Sequence, residues 1–558
     1  MFAKVFTCWI VVVVIAAVTA QAQSLPVRQT VAEIPQAPVP AGASYSRAAL
    51  PLPAGTPDAI ARADTAIPLD DLVTALERVY WTNPALLAER SRLRSSDFRL
   101  PLARAQYGPR VEYQAAFGGE QDRLAQVLGG YSTSVGPSQT ASLVFTQPLF
   151  GFGRTAAAED EAGAQIAFQR ASVEFSEEDT LFKTISAYIA VLRDRGSTEI
   201  AADNLALLAR ELRDNRERLS AREVTITDVQ QIETRVDQGR VQVLSAASQK
   251  GASEAEFLRV VGAPAGALTP PNPLAMPVHT LEEAYVIAER NSPVVTAAYA
   301  REKISRAQVA QARAELMPHV DLRASADAGR TAPYLGGVRH SELRAGIQIS
   351  GTLFDSGLRD ARIGEAEAAN DSDWRLIDSA VRDAKADAAT QWDDWLTQRA
   401  ALDRLEAAIH SAQDAYDGAL LQERAGLRTT LDVLDLAREL LSARSAHNAA
   451  SANAYIAQAR LLKAIGMLNL EYLLPGSLRY ERDEHLSKVR SNSDVPLLTA
   501  ALRAADRLLS EPVEDRASRD PASRLGAAAA VLPSPEGNEA QDPLKGFPWH
   551  CQTKCTIR

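Results

Sequence analysis

The sequence is poor in aromatic residues, histidine and cysteine. Only 6% of its 558 residues are Phe, Trp or Tyr, and it has 7 His and 3 Cys. Alanine supplies much of the 46% hydrophobic share, which excludes global disorder and favours long, closely packed helices over a thick globular core. The 60 basic and 70 acidic residues give a net charge of −10. Because phosphate binding requires a basic surface, this balance argues against nucleic acid as a partner.

The sequence also lacks the motifs on which catalysis or metal binding commonly depends. Its histidines are scattered, and it has no His-Glu-x-x-His spacing, no phosphate-binding glycine loop and no nucleophile elbow. Cys551 and Cys555 lie in a polar tail beside His550. They offer at most three ligands where zinc requires four, so we interpret them as incidental, with a metal site or a disulfide as the alternative. We predict no enzyme activity, no cofactor and no metal site.

Long apolar runs are confined to the N-terminus. Lys4, the apolar residues 5–18 and the small residues of the segment 20–22 are typical of a cleaved export signal over residues 1–22. A transmembrane anchor is the alternative, but the run is shorter than the ~20 residues that a helical span needs. No other stretch approaches ~18 apolar residues, so a mature chain that crosses a membrane must use β-strands in a closed barrel.

What the sequence does contain is an internal duplication. Residues 72–84 align with residues 281–293, and the same alignment continues, with one gap, to the ends of both copies. Later matched pairs are Leu149-Phe150 with Leu353-Phe354, Asp228-Val229 with Asp432-Val433, and Val261-Gly262 with Ile465-Gly466. An alignment that persists over more than a hundred residues is poorly explained by chance.

We therefore predict two copies of one unit with flanking segments. In order, the chain has a signal peptide, a Pro/Ala-rich linker, repeat 1, repeat 2 and a disordered C-terminal tail. These parts occupy residues 1–22, 23–66, 67–268, 269–475 and 476–558, respectively.

Each repeat is predicted to contain a helix, a β-hairpin, a long helix and a return helix. The first helix ends at Pro109 or Pro318, since proline disfavours continuation. Apolar and polar residues then alternate strictly in repeat 2 and more loosely in repeat 1, which indicates strands. The predicted ranges are 110–149 and 319–353 for the hairpins, 154–220 and 358–424 for the long helices, and 227–262 and 431–466 for the return helices.

The long helices would each extend ~100 Å if unbroken. In repeat 2, small or apolar residues recur from Ile377 to Ala419 at a mean spacing of about 3.5 residues, which is typical of a coiled-coil seam. Gly426 is suited to the C-terminus of the second long helix, and Thr227 and Thr430 are suited to the N-caps of the return helices.

The alternation in the hairpins leaves two interpretations open. The strands could form a sheet over a soluble core, or a sheet with one face in lipid and one in water, at ~10 residues per strand. Two hairpins supply four strands, which are too few to close a barrel within one chain. A membrane-spanning sheet therefore requires an oligomer that shares one barrel.

Over about residues 67–470, the chain resembles the TolC-like family of outer-membrane efflux and secretion channels. The residues that carry the resemblance are Asn83-Pro84, Ser292-Pro293, Pro109, Pro318 and the segments 149–153, 353–357, 224–230 and 426–435. Residues 187–194 and 223–228 look most like the type I secretion branch.

The resemblance implies a mainly α fold with a small β part. Three copies of the duplicated helix–hairpin–long helix–helix chain would form a homotrimer with a 12-stranded outer-membrane β-barrel, continued by a periplasmic α-helical barrel. The implied function is an exit duct for type I protein secretion, small-molecule efflux or both. The implied partners are outer-membrane lipid, a periplasmic adaptor and an inner-membrane ABC or proton-driven pump. A soluble periplasmic coiled-coil adaptor or structural protein is the alternative, although it would need one helical hairpin flanked by small β-domains.

The resemblance also implies the position of a periplasmic gate. Matching the family's motif after the second turn places gate carboxylates at Asp432 and Asp435, with Arg428, Thr227 and Asp228 as restraining partners. Three copies would form carboxylate rings that select by charge and respond to protonation or cations. The alternative is that these are ordinary first-turn acids that face a helix dipole.

The two turns are the implied contact for the adaptor, with a solvent-exposed loop as the alternative. The residues concerned are Val224, Thr225, Ile226, Gly426, Leu427 and Thr429. The chain departs from the family at Glu423, where a restraining Tyr is frequent, and at Ala221-Arg222, where Gly is usual.

Overall fold

A computed structural model describes residues 69–125, 129–330, 339–495 and 497–508. The predicted signal peptide and linker, as well as Cys551 and Cys555, lie outside these residues. The elements are α1 (Leu72–Thr82), α2 (Pro84–Asp97), α3 (Arg99–Ala105), β1 (Arg110–Ala125), β2 (Tyr131–Phe150), α4 (Arg154–Ser220), α5 (Ile226–Val261), α6 (Leu281–Asn291), α7 (Pro293–Ala314), β3 (His319–Arg330), β4 (Arg339–Ser350), α8 (Leu358–Arg424), α9 (Thr430–Ala464), α10 (Leu470–Leu473), α11 (Glu484–Val489) and α12 (Leu498–Leu508). The mainly helical, duplicated fold is confirmed.

The four strands form one antiparallel sheet in the order β1-β2-β3-β4. Directly paired residues share a face of the sheet, so the register shows which side chains lie together. Leu143 of β2 is opposite Tyr113 of β1 and Ala326 of β3, and Ala326 is opposite Leu343 of β4. One apolar face therefore crosses all four strands, and Tyr113 and Leu343 on it are largely exposed in the protomer.

The two long helices, α4 and α8, each have 67 residues. Both begin directly after a glycine with positive φ, Gly153 or Gly357, so the chain turns sharply where the sheet is connected to the helices. Contacts within the protomer place α4 beside α2, α5 and α7, and place α8 beside α7 and α9. Four of these helices thus lie side by side in the order α2, α4, α7, α8.

The main hydrophobic core lies midway along the helices, where the two repeats meet. Tyr188 of α4 is fully buried and packs against Phe257 of α5, with 6.2 Å between the ring centroids. Its hydroxyl donates to the carbonyl oxygens of Asp70 and Thr269, at 3.1 and 2.7 Å. Leu461 and Leu462 of α9 join the same cluster. Residues of both repeats are therefore needed to complete one core.

The prediction of a disordered tail from residue 476 is wrong as far as residue 508. Asp506 of α12 is only 2% exposed. Its carboxylate accepts hydrogen bonds from the backbone N–H groups of Gly153 (2.8 Å) and Ala156 (3.1 Å) and from the hydroxyl of Tyr107 (3.2 Å). The charged composition suggested disorder, but here the charges have fixed partners on repeat 1. Residues 509–558 lie outside the described part of the chain.

None of the helices among the described residues combines the length and the apolar character needed to cross a bilayer.

Glu178 of α4 makes the stability of this fold depend on pH. Burial, followed by the nearby charge of Glu174, raises the pKa of Glu178 from 4.5 to about 9. The pKa of Glu178 is higher in the folded chain than in the unfolded chain, so folding favours its protonated form. The free energy of unfolding therefore decreases as the pH rises from about 4.5 towards about 9. We expect Glu178→Gln to flatten the decrease in melting temperature over this range. The exposed carboxyl variant Glu282→Gln is the control, and a decrease that persists in Glu178→Gln would contradict the assignment.

Candidate functional site at the helical turns

The two long-helix turns lie together because the four helices that form them share apolar contacts. Leu208 and Leu212 of α4 pack with Ile232 of α5 and with Leu434 of α9. A second cluster joins Tyr416 of α8 to residues of α9 and to Leu207 of α4. The turn of repeat 1 is therefore held beside the turn of repeat 2 in each protomer.

The return helices begin with matching capping boxes. The hydroxyl of Thr429 accepts from the N–H of Asp432 at 3.3 Å, and the carboxylate of Asp432 accepts from the N–H of Thr429 at 3.2 Å. Thr225 and Asp228 do the same for α5, at 3.3 and 2.9 Å. The N-caps are thus Thr225 and Thr429. The prediction of Thr227 and Thr430 was wrong, because the chain enters each helix earlier and those residues already have helical positions.

The capping geometry favours the charged form of the predicted gate carboxylate Asp432. Hydrogen bonds from the Thr429 side chain and backbone lower its pKa, and the positive charge of Arg428 lowers it further. The pKa of Asp228 is likewise lowered by its bonds from Thr225. Both carboxylates therefore remain charged at neutral pH. Their local geometry is that of first-turn acids, which was the alternative to a gate.

Asp435 has a partner that sequence reasoning missed. Its carboxylate pairs with Arg235 of α5 at 3.2 Å and with Arg438 of its own helix at 3.7 Å. The Arg235–Asp435 pair joins the return helices of the two repeats. Among the hydrogen bonds and ion pairs of the described residues, none joins Thr227 or Asp228 to Asp432 or Asp435 within the protomer.

Glu423 is a second link between the repeats. It is 6% exposed, and its carboxylate accepts from the Arg218 guanidinium of α4 at 2.6 Å and from the Thr430 hydroxyl at 2.9 Å. From the sequence alone, Glu423 stood out only as a departure from the family. The sequence did indicate a buried partner for Glu423. Tyr416, Ala419 and Glu423 continue the apolar seam of α8, and an acidic residue within such a seam requires a partner for its charge.

The tips of the turns present apolar side chains to solvent. Ile226 and Leu427 are both well exposed, whereas Val224 is half-buried against the apolar cluster that α4, α5 and α9 form. Gly426 has φ +75°, and Arg222 has a similar φ of +63° at the corresponding position of the first turn. Arg222 thus adopts the left-handed conformation that glycine adopts in the second turn, at some cost in backbone strain.

The link through Glu423 can be tested directly. Glu423→Ala leaves Arg218 and Thr430 without their acceptor, and we expect a local loss of about 1–2 kcal/mol, with Arg218 partly solvated. Faster amide hydrogen exchange in residues 421–431 is the measurement. Glu423→Gln retains an acceptor oxygen and is the matched control. Unchanged exchange in Glu423→Ala would show that the link does not hold the turn.

Comparison with known proteins agrees with this architecture. The model of the outer membrane efflux protein family matches residues 75–263 and 284–467, which are parts of both repeats. The outer membrane efflux protein BepC of Brucella suis is 25% identical over 431 residues, which are 75% of this chain and 91% of BepC. The alkaline protease secretion protein AprF of Pseudomonas aeruginosa is 23% identical over 60% of this chain and 70% of AprF.

Solved structures show the same fold. The CmeC outer membrane channel of Campylobacter jejuni superposes with a TM-score of 0.63 at 13% identity, and covers 76% of this chain and 89% of CmeC. The resemblance predicted from sequence is confirmed, and the alternative of a soluble adaptor is wrong, because the matching relatives are outer-membrane export channels. This chain belongs to the outer membrane efflux protein family and is an outer-membrane export channel that extends into the periplasm.

Proposed function

We propose that three copies of this chain form the exit duct of a tripartite export system, with protein as its main cargo. The open sheet is the observation that supports a trimer. Its apolar face is uncovered, and β1 and β4 are its two edges. Unpaired strand edges cannot remain exposed to lipid, so the β1 edge of one protomer pairs with the β4 edge of the next until the sheet closes.

The periplasmic mouth carries the gate in this proposal. Each protomer contributes Asp432 and Asp435 near the start of α9, and threefold symmetry arranges them as rings around the axis. The Arg235–Asp435 and Arg218–Glu423 pairs hold the turns in the closed arrangement, with Arg428 beside Asp432. Opening then requires these pairs to break as the turns separate. Asp228 caps its own helix, and Thr227 is exposed on its first turn and free to contact a neighbouring protomer.

A periplasmic adaptor supplies the opening force. Ile226 and Leu427 lie at the tips of the turns and offer apolar contacts, and the backbone of Thr225, Gly426 and Thr429 lies beside them. Half-buried Val224 packs against the apolar cluster of α4, α5 and α9, so it links a bound adaptor to that cluster. Apolar anchors surrounded by polar groups are typical of docking surfaces. The inner-membrane partner is an ABC or proton-driven pump.

The cargo is proposed from two observations. Residues 187–194 and 223–228 look most like the type I secretion branch, and one relative is named for alkaline protease secretion. Small-molecule efflux is the second candidate, since the relative BepC is named as an efflux protein.

Deletion of the gene separates the two cargoes. We expect secreted protein to disappear from the medium and to return when the full chain is supplied on a plasmid. Sensitivity to a panel of toxic small molecules is measured in the same strains. Normal protein secretion with a large increase in sensitivity would overturn the secretion proposal in favour of efflux.

A further inference from the structure

The C-terminal helix α12 has its polar side towards the protein and its apolar side outwards. Thr499 and Asp506 are buried, whereas Leu508 is 86% exposed and Leu497, just before the helix, is 88% exposed. Leu498 and Ala501 continue the exposed side. A helix on the surface of a globular protein normally has the opposite arrangement. The exposed leucines therefore point to an apolar partner outside the protomer.

The contacts of α12 place it below the apolar face of the sheet. Asp506 accepts a hydrogen bond from the Tyr107 hydroxyl, and the Tyr107 carbonyl accepts one from the side chain of Gln147 at 2.9 Å. Gln147 is in register with Leu322, which is opposite Ile347. Because paired residues share a face, Gln147 lies on the apolar side of the sheet. The helix is thus attached where the outward face of the sheet ends.

A cavity of about 890 Å³ lies beside α12 and is rich in positive charge. Its basic lining residues are Arg104, Lys303, Arg306, Arg490, Arg503 and Arg507, against the acidic Glu159 and Asp160. Glu159 pairs with Arg104, Arg503 and Arg507, and Asp160 pairs with Arg507. Two further carboxylates pair with these cations, Glu302 with Arg306 at 3.6 Å and Asp494 with Arg104 at 3.6 Å. The six cations still outnumber these four carboxylates, so the cavity is suited to an anion.

The position of the cavity keeps it clear of the subunit edges. It lies along α4 and α7, which are the inner two helices in the order α2, α4, α7, α8. A neighbouring protomer would approach along α2 or α8. A second copy of the chain is therefore a poor candidate for the partner.

We propose that α12 and this cavity form a binding surface for anionic phospholipids of the periplasmic leaflet. Leu497, Leu498 and Leu508 enter the boundary of the acyl region, and the cavity receives a lipid phosphate. Apolar insertion combined with basic residues at phosphate level is the chemistry of interfacial helices. The proposal rests on the barrel proposed above, because the barrel places α12 at this leaflet.

The insertion is tested in proteoliposomes of the full chain. In a background with Cys551→Ser and Cys555→Ser, an environment-sensitive fluorophore is attached at Leu508→Cys, and quenching by brominated phospholipids is measured. Tyr113→Cys on the apolar face of the sheet is the positive control, and Leu427→Cys at the turns is the negative control. We expect Leu508→Cys to be quenched and Leu427→Cys not.

The outcomes separate this proposal from the proposed barrel. Quenching at Tyr113→Cys without quenching at Leu508→Cys would overturn the lipid surface and leave the barrel intact. Absence of quenching at both positions would contradict the barrel and, with it, this proposal.

The phosphate contact has its own test. Lys303→Gln and Arg490→Gln remove two exposed cations of the cavity, and we expect each to reduce the preference for phosphatidylglycerol over phosphatidylcholine about fivefold. Native mass spectrometry of the trimer with both lipids measures this preference. An unchanged preference would overturn the phosphate contact. Inorganic phosphate is added in a parallel series, and full loss of the preference at low phosphate concentration would show a site for the free ion rather than for lipid.

Discussion

Channels with Asp432→Ala and Asp435→Ala are expected to conduct more and to lose most of their preference for cations. The double substitution removes two carboxylates from each protomer at the proposed periplasmic gate and releases Arg235 from Asp435. A carboxylate about 10 Å from the axis, at an effective dielectric constant of about 20, contributes on the order of 1–2 kcal/mol to the energy of a passing ion. We therefore expect the cation-to-anion permeability ratio to fall roughly tenfold in planar bilayers.

The loss of charge must be separated from the loss of the helix cap. Asp432 caps α9 through Thr429, and an alanine at a capping position costs about 1 kcal/mol. Asp432→Asn with Asp435→Asn removes the charges while retaining acceptor oxygens, so it is the matched control. If the asparagine pair reproduces the effect, the charge is responsible. Wild-type conductance and wild-type cation preference in both double variants would rule out these residues as the gate.

Glu159→Ala is expected to give the largest loss of stability among single substitutions in the C-terminal contact. Glu159 is 4% exposed and pairs with Arg104, also buried, at 2.9 Å, and with Arg503 of α12. Removing this carboxylate leaves the buried Arg104 guanidinium with only the Asp494 carboxylate at 3.6 Å and the Arg490 carbonyl at 2.9 Å. We therefore expect a loss near the lower end of the roughly 3–5 kcal/mol that breaking a buried ion pair costs. We expect a lower melting temperature and faster proteolysis of the segment 476–508 in the purified protein.

Two variants make the interpretation of Glu159→Ala specific. Asp160→Ala removes a neighbouring carboxylate that is 66% exposed and pairs with Arg507, so we expect a loss below about 1 kcal/mol. Glu159→Leu combined with Arg104→Leu removes both buried charges and should recover most of the stability, since an apolar pair needs no compensation. Equal effects of Glu159→Ala and Asp160→Ala would show that burial of the ion pair is not the cause.

Most of the fold could be predicted because its signals lie in neighbouring residues. The two-residue period over 320–328 and its return strand determines which side chains share a face, and the register of β3 with β4 is consistent with it. In the second long helix, a seam of small and apolar residues from Ile377 to Ala419, with one break at Arg399, indicated a long helix between the glycine that precedes it and the turn that follows it. Gly153, Gly357 and Gly426 were informative because positive φ at those positions favours glycine.

The site could be predicted only in part. Matching a motif gave Asp432 and Asp435 as the proposed gate carboxylates, which stays a prediction, and their partners depend on which helices meet. Arg235 and Glu423 lie on different elements from the residues that they bind, at sequence distances of 200 from Asp435 and 205 from Arg218. The capping prediction failed in both turns, because each return helix begins earlier than expected, at Ile226 and at Thr430.

The sequence by itself determined the duplicated unit, the strand faces and the lengths of the two long helices, because side-chain periodicity is a local property of the chain. Only the tertiary structure decided the pairs Arg235–Asp435 and Arg218–Glu423, the burial of Glu159 and the order of the segment 476–508. Asp506 bonds to Tyr107 across 399 positions. Composition cannot reveal such a contact, because whether a charge is solvated or paired depends on what packing brings beside it.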